Sequence, residues 1–515
     1  MVAPRIMLAA PASGSGKTLI TCGILKALTN RRLKTASFKC GPDYIDPLFH
    51  REALGVPACN LDTFFTGREM TRYLFCQTAK QADISIIEGV MGYYDGIGGD
   101  SVMASSYELA KVTETPVVLI INAKGMSLSV LPVLQGFLQY RQDSRITAVI
   151  LNQVSAATYE KLKSKMEQEL SVTVLGYVPK CPELVIESRH LGLVLPKEVQ
   201  DIKEKLQDLS KLLETTLDLD SLLRLAETAP EINCKKPENL HLQSSQKENS
   251  EKLVSQSEGM STKNQDPGSQ IPEPVQEEDN EKLDSVNVML EVSEHRLQIG
   301  ITKDEAFCFF YQENLQLLME LGAELVYLSP LWDQMLPKEL DGLILCGGYP
   351  ELYAEQLYQN TSMRDQIRER IQVGIPYLAE CGGFMYLQES LEDMDGKSWE
   401  MAGVFAGKAY RTKKLHRFGY LSLTANENGQ LLEPGEQIAG HEYHYFDCTE
   451  NGKDYYGRKP LSSRGWECIQ GGNHCMAGFP HLYYYSNPAF VEKFLQKCRE
   501  YRTKVRREYE AGRLF

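Results

Sequence analysis

The 515-residue sequence has no apolar run approaching the about 20 residues that a bilayer-spanning helix requires. It also lacks any basic tract interleaved with aromatics, and its formal charge of −14 argues against a general nucleic-acid binder. Neither a membrane nor a nucleic acid is therefore expected as a partner, and an anionic ligand would have to meet positive charge concentrated locally. The thirteen cysteines are scattered, odd in number and without paired metal-type spacing. Reduced thiols in a cytoplasm are expected rather than a disulfide framework. No cleavage-type segment follows the short apolar N-terminal stretch, so a cytoplasmic location is expected. The length exceeds one ordinary core and implies two or three domains.

What is present begins with Ile6-Met7-Leu8-Ala9, a short apolar strand, followed by Ala10-Pro11-Ala12-Ser13-Gly14-Ser15-Gly16-Lys17-Thr18 and a helical pattern through Leu28. Strand, small-residue loop, Gly-Lys-Thr and helix is the order of a phosphate-binding loop. Backbone N–H groups of Ser13, Gly14, Ser15 and Gly16 would cradle a triphosphate at the positive end of the helix. Lys17 would reach the outer phosphates, and Thr18 a magnesium ion. Pro11 stands where the motif usually opens with glycine, and it has no N–H to offer.

Two further strand ends carry acids. Thr35 to Lys39 leads into Cys40-Gly41-Pro42-Asp43-Tyr44-Ile45-Asp46-Pro47, and Ile84 to Ile87 leads into Glu88-Gly89-Val90-Met91-Gly92-Tyr93-Tyr94-Asp95-Gly96. Open α/β sheets bind ligands at the carboxyl ends of their strands, and hard oxygen donors suit magnesium. Glu88 is the candidate metal-side acid, with Asp95 as its neighbour on the glycine-rich loop. Asp43 and Asp46 divide between metal and phosphate work and a plain turn reading. The strands Pro116 to Ile121 and Ile146 to Leu151 end at Asn122 and Asn152; Asn152 either hydrogen-bonds a nucleotide base or is a turn residue. Strands and helices recurring through Val178 predict a doubly wound, mainly parallel sheet.

These residues resemble the cobyrinic acid a,c-diamide synthase family, in the dethiobiotin-synthetase-like branch of P-loop proteins. The specific part is the stretch Glu88 to Gly96. The resemblance implies an ATP-dependent amide synthetase whose metal side is Thr18, Asp43 and Glu88, with Asp46 and Asp95 towards the substrate or intermediate. Pro11 is consistent with that branch, where the first glycine is not required.

Between Pro230 and Ser293 the composition shifts to Lys, Glu, Gln, Ser and Pro, which predicts a solvated linker, mostly disordered, with a short helical connector near 283–292 as an option. A second α/β half follows. Arg296 to Thr302 reads as a strand, Phe309 to Leu321 as a helix, and Leu343 to Cys346 as a strand ending in Gly347-Gly348-Tyr349-Pro350-Glu351. Pro376 to Glu380 then delivers Cys381-Gly382-Gly383-Phe384-Met385 into a helix, the form of a nucleophile elbow. A helix N-terminus is expected to lower the thiol pKa of Cys381, and His481 in Gly478-Phe479-Pro480-His481 supplies the best base.

This arrangement resembles the class I glutamine amidotransferase domain. By that resemblance Cys381 attacks the side-chain amide of L-glutamine, His481 assists, and N–H groups near Gly348 and Gly382 hold the oxyanion. Many such domains carry a glutamate two residues after the histidine; here Tyr483 stands there, which leaves a Cys-His dyad or an orienting group from elsewhere. His441-Glu442-Tyr443-His444 is one residue short of a zinc helix motif, and a role in the glutaminase or substrate site is expected. The run Arg411 to Arg417 is either a solvated face or a reader of substrate carboxylates.

The expected organisation is an ATP-dependent synthetase domain over 1–229, a linker over 230–293, a glutamine amidotransferase domain over 294–495, and a peripheral charged helix over 496–515. The implied reaction is ATP- and glutamine-dependent amidation of the a and c carboxylates of a corrin, through an acyl phosphate. The alternatives are another tetrapyrrole polycarboxylate, hydrogenobyrinic acid or a nickel sirohydrochlorin, and more remotely a P-loop nucleotide switch or scaffold. A homodimer stays open.

Overall fold

The computed structural model describes residues 1–181, 188–189, 192–193, 202–240, 296–426, 431–472 and 474–510. Most of the expected linker, including the helical connector, lies outside the described residues.

In the first half the strands are β1 (Arg5–Ala9), β2 (Thr35–Cys40), β3 (Ala58–Leu61), β4 (Ile84–Glu88), β5 (Val117–Asn122), β6 (Ile146–Asn152) and β7 (Thr173–Val178). They form one sheet in the order β3-β2-β4-β1-β5-β6-β7, and every neighbouring pair is parallel. Helices cover both faces, so the central strands are apolar without alternation. Met7 and Ala9 enter one core, Ile6 and Leu8 the other.

Helix α1 (Lys17–Asn30) packs beneath the helix Ile202–Thr216. Gly23 permits the approach, since a Cβ there would come within 2.5 Å of Leu213 Cδ1. Helices α2 (Ile45–Leu54) and α3 (Thr63–Ala79) follow β2 and β3. The N-terminal half extends past its expected end at 229: Met1 N donates to Ile232 O at 2.9 Å, and Ile232 is buried. Cys76 and Cys234 form a disulfide, which corrects the expectation of reduced thiols at this one pair. Their spacing in sequence gave no sign of it; the fold brings their Cα atoms to 5.7 Å.

In the second half a six-stranded sheet runs in the order Ala323–Leu328, Leu297–Thr302, Gly342–Leu345, Tyr377–Glu380, Cys475–Gly478, Gln470–Gly472. All its pairs are parallel except the last. Strands between 388 and 482 build two smaller sheets beside it, one wholly antiparallel and one mixed, in which Gln388–Glu392 runs parallel to Phe405–Arg411. The expected helix from Phe309 starts instead at Gln312, because Phe307–Phe309 pairs antiparallel with Gly347–Gly348. The C-terminal helix runs unbroken over Pro488–Glu510, so the expected boundary at 495/496 falls inside it. Nor is it peripheral: Phe490, Phe494, Leu495, Cys498 and Tyr501 are buried, and Arg502 pairs with Asp341.

An aromatic layer joins the halves. Phe65 stacks on Tyr483 with centroids 4.7 Å apart, Tyr44 meets Phe309 at 4.9 Å, and Tyr311 donates to Pro42 O at 3.0 Å. Tyr420 donates to Asp62 Oδ2 at 2.7 Å. Such pairs contribute about 0.5–1.5 kcal/mol each beyond their buried area. Among the described residues, no helix is long and apolar enough to cross a membrane.

Candidate functional site

Two sites flank this aromatic layer. The first is built at the carboxyl ends of β1, β2 and β4, where strand register alone sets Lys39 beside Glu88 and Glu88 beside Leu8, two residues before the phosphate loop begins. Gly14 and Gly16 have φ of 74° and 94°, in the left-handed region that glycine enters freely, so the loop can curl its N–H groups inward. Lys17 Nζ donates to Met91 O at 2.6 Å, and Thr18 Oγ1 to Glu88 Oε1 at 2.6 Å. Burial first, then the neighbouring Lys39, lowers Lys17 to about 8.

Lys39, which the sequence reading did not single out, is the hub of the acids. Its Nζ lies 2.5 Å from Asp46 Oδ2, 2.7 Å from Glu88 Oε1 and 3.9 Å from Asp43 Oδ2. Burial opposes its charge, but the three carboxylates prevail and hold it protonated. Asp46 is also buried, and the Lys39 ammonium keeps it ionised. The one signal in the sequence is a lysine at the end of an otherwise uncharged strand. His50 is a second unforeseen member: its Nδ1 meets Ser37 Oγ at 2.9 Å and its Nε2 lies 3.9 Å from Glu88 Oε2.

Asp43 half caps α2, accepting from Ile45 N at 3.0 Å and Asp46 N at 3.4 Å. Asp95 accepts from Gly92 N at 2.9 Å, folding its loop back on itself against the phosphate loop. There Tyr93 N donates to Ala10 O at 2.8 Å, and a Cβ on Gly92 would lie 2.6 Å from Pro11 O. Asn152 Nδ2 donates to Ser15 O at 2.8 Å, so the fold uses this side chain as a strut beneath the loop. Ser13, Gly14 and Ser15 also border an open cleft of about 410 Å³ with Asn122 and Lys124.

For magnesium, the fit rests on donor chemistry. Thr18 hydroxyl and Glu88, Asp43 and Asp46 carboxylates are hard oxygens, and Glu88 Oε2 is buried without a hydrogen-bond partner. Among the described residues no His, Cys, Asp or Glu cluster forms a complete metal cage. A magnesium ion here would share its shell with phosphates and water, as that ion usually does.

The second site is the elbow. Cys381, with φ 48° and ψ −105°, sits in a strained conformation between Tyr377–Glu380 and the short helix Gly382–Tyr386. Cys381 N donates to Gly478 O at 2.7 Å, tying the elbow to the strand that leads to His481. A Cβ on Gly382 would stand 2.9 Å from Gly348 N, so these two backbone stretches are in close contact. Cys381 borders a cleft of about 760 Å³ with Gly348, Arg411, Lys413, Tyr443 and His444.

The expected lowering of the Cys381 pKa is corrected. Burial pushes the thiol well up, and Glu351 adds to this, outweighing the Gly382 N–H. The resting group is a thiol, which makes a base necessary. His481 is buried, with Nδ1 3.7 Å from Glu380 Oε2 and Nε2 3.2 Å from the Tyr44 hydroxyl. Glu380, adjacent to the cysteine in sequence, thus lies where an orienting acid belongs, and Tyr483 is instead the ring stacked on Phe65.

The His441 to His444 stretch lies on the strand Gln437–His444, where residues three apart face opposite sides. His444 Nδ1 donates to Phe446 O at 2.6 Å and its ring stacks on Phe479 at 4.0 Å, beside the cleft of Cys381. His441 pairs in register with His481. The basic run divides: Arg411 and Lys413 border that cleft, whereas Arg417 lies 3.7 Å from Glu442 and over Trp466.

Comparison with known proteins agrees with both halves. Residues 6–194 match the CobQ/CobB/MinD/ParA nucleotide binding domain, and residues 298–481 the CobB/CobQ-like glutamine amidotransferase domain. The cobyrinate a,c-diamide synthase of Caldanaerobacter subterraneus subsp. tengcongensis is 36% identical over 495 residues, 96% of this chain and 98% of that protein. That of Listeria innocua serovar 6a is 36% identical over 494 residues, 95% of this chain and 98% of that protein. That of Picrophilus torridus is 34% identical over 494 residues, with 96% and 98% covered. With both domain models matched and identity carried across almost the whole length, the chain belongs to the cobyrinate a,c-diamide synthase family.

Proposed function

We propose that this chain is a glutamine-dependent ligase of cobalamin biosynthesis that uses ATP to amidate the a and c carboxylates of cobyrinic acid. Support comes from its relatives' names, and above all from one geometric observation: Tyr44, between Asp43 and Asp46 of the acid cluster, touches His481 of the elbow site. The energy source and the nitrogen source therefore meet at one interface.

A carboxylate is a poor electrophile, so the acceptor must first be activated. The phosphate loop and Lys17 hold the ATP phosphates while an acceptor carboxylate oxygen attacks the terminal phosphorus, giving an acyl phosphate and ADP. Thr18, Glu88 and Asp43 would hold magnesium, which when bound spreads the negative charge of the phosphates. Asp46 and Asp95 lie on the acceptor side. Asn152 acts through the loop it supports, its amide being engaged by Ser15.

At the elbow, the Cys381 thiol loses its proton to His481 and attacks the glutamine side-chain carbonyl carbon. N–H groups at Gly348 and Gly382 hold the oxyanion. Collapse breaks the C–N bond, the proton on His481 leaves with ammonia, and water hydrolyses the thioester to glutamate. Ammonia then attacks the acyl phosphate, releasing phosphate and leaving the amide. Crossing a closed interface keeps it from protonation in bulk water.

The test is nitrogen-source dependence. Cys381→Ala should lose amidation with glutamine and keep it with high ammonium, whereas Lys17→Ala should lose both, measured by mass spectrometry of cobyrinic acid products. Equal loss of both nitrogen sources in the cysteine variant would overturn this division of labour. Hydrogenobyrinic acid or a nickel sirohydrochlorin amidated in preference to cobyrinic acid would move the substrate assignment to another tetrapyrrole.

A further inference from the structure

His481 is not engaged with its nucleophile in this structure. Among the described residues no hydrogen bond joins Cys381 Sγ to His481; instead Nε2 lies 3.2 Å from the Tyr44 hydroxyl, with the two rings 5.0 Å apart. The contact joins residues 437 positions apart, from opposite halves of the molecule. Nδ1 on the other edge faces Glu380. Burial holds the Tyr44 phenol protonated, so it can donate to Nε2. Whichever atom donates, Nε2 is occupied and cannot accept the thiol proton.

Tyr44 is held there from both sides. Its ring packs against Phe309 and, edge-on at 5.4 Å, against Tyr311 of the second half. Its backbone caps α2 in a turn closed by the Asp43 carboxylate, which accepts from Ile45 N and Asp46 N. Asp46, two residues on, is bound to Lys39. Asp43 and Asp46 are also the groups assigned above to metal and acceptor. Drawing Asp43 towards a ligand competes with the bonds that close the turn under Tyr44.

We propose that Tyr44 is a positioning residue that latches the glutaminase, occupying His481 until nucleotide and acceptor engage the segment Asp43 to Asp46 and release the base to Cys381. The latch explains how ammonia is spared when no acyl phosphate awaits it. It rests on His481 being the base of the elbow site, and it names the regulation of that site.

The experiment measures glutamate release with and without ATP and cobyrinic acid, alongside ammonium-driven amidation, in the wild type, Tyr44→Phe, His481→Ala and the double variant. Without ATP and acceptor, Tyr44→Phe should hydrolyse glutamine about tenfold faster than wild type, within the usual range for coupling between two sites. In the full mixture it should release more glutamate per amide formed, while ammonium-driven amidation is retained, which also reports that the variant is folded. The double variant should hydrolyse no glutamine. Unchanged or slower hydrolysis in Tyr44→Phe, with His481→Ala inactive, overturns the latch alone. Hydrolysis that survives His481→Ala overturns the base assignment and the latch with it. A wild-type enzyme that hydrolyses glutamine at full rate without ATP and acceptor overturns the latch whatever the variants do.

Discussion

Lys39 shows how one side chain sets the character of the acid site. Removing an ion from water costs several kcal/mol, and a buried carboxylate that loses its partner incurs that penalty unrelieved. Lys39, Asp46 and Glu88 are all buried; their contacts hold Lys39 protonated and Asp46 ionised, whereas burial pushes the Glu88 carboxyl up despite its bond to Lys39. Lys39→Met should therefore destabilise the protein by about 3–5 kcal/mol, read by urea unfolding, because two buried acids lose their counter-charge. Amidation should fail with either nitrogen source; a variant as stable as wild type would show the acids to be solvated after all. Tyr483 carries the converse lesson. Where related domains place an acid, this chain places a ring fully buried against Phe65, and Glu380 stands beside His481 in its stead.

At the scale of elements, the elbow works because three backbone stretches approach more closely than side chains allow. Gly348 pairs with Phe307, and a Cβ on it would collide with the Ala306 carbonyl, itself fixed by the Tyr349 N–H at 2.9 Å. Gly382 faces Pro350, whose Cδ would lie 2.8 Å from an added Cβ. The short strand Phe307–Phe309 thus seats the Gly347–Gly348 stretch, at the cost of the first turn of the expected helix. Gly348→Ala should shift that loop and lower glutamine-dependent turnover by about 10²–10³-fold, the effect of losing one oxyanion donor. Ammonium-driven amidation should be intact, and parallel loss of both would place Gly348 in the fold rather than in the glutaminase site.

For the whole molecule, the joint between halves has its own pH dependence. Glu313 of the second half accepts from Asn60 N of the first, and its other oxygen is buried without a partner. Desolvation pushes its carboxyl from 4.5 up to about 7. Its folded pKa is thus above the unfolded one, and the folded state holds an extra proton between those two values. Its contribution to stability is full below about 4.5 and is lost as pH rises towards about 7. Glu313→Gln keeps the acceptor and removes the titration. The fall in thermal midpoint from pH 5 to pH 8 should be shallower in this variant than in wild type, and superimposable profiles would exclude Glu313 as a source.

Much was readable from one dimension because it depends on local chemistry. The phosphate loop, Glu88 at the end of an apolar strand and Cys381 before Gly382-Gly383 at the end of another all follow from sequence order, since strand, tight turn and helix must be contiguous. So does the α/β class, because strands buried on both faces must read as unbroken apolar runs. What only the tertiary structure decided involves partners distant in sequence. Lys39 becomes a hub through strand register with Glu88, and Cys76 meets Cys234 across 158 residues. The thiol of Cys381 is raised rather than lowered because desolvation depends on what surrounds it, not on the helix that follows it. Tyr44 reads in sequence as a residue in a proline-broken turn; only the closing of the two halves places its hydroxyl on His481, since a hydrogen bond is decided by proximity in space.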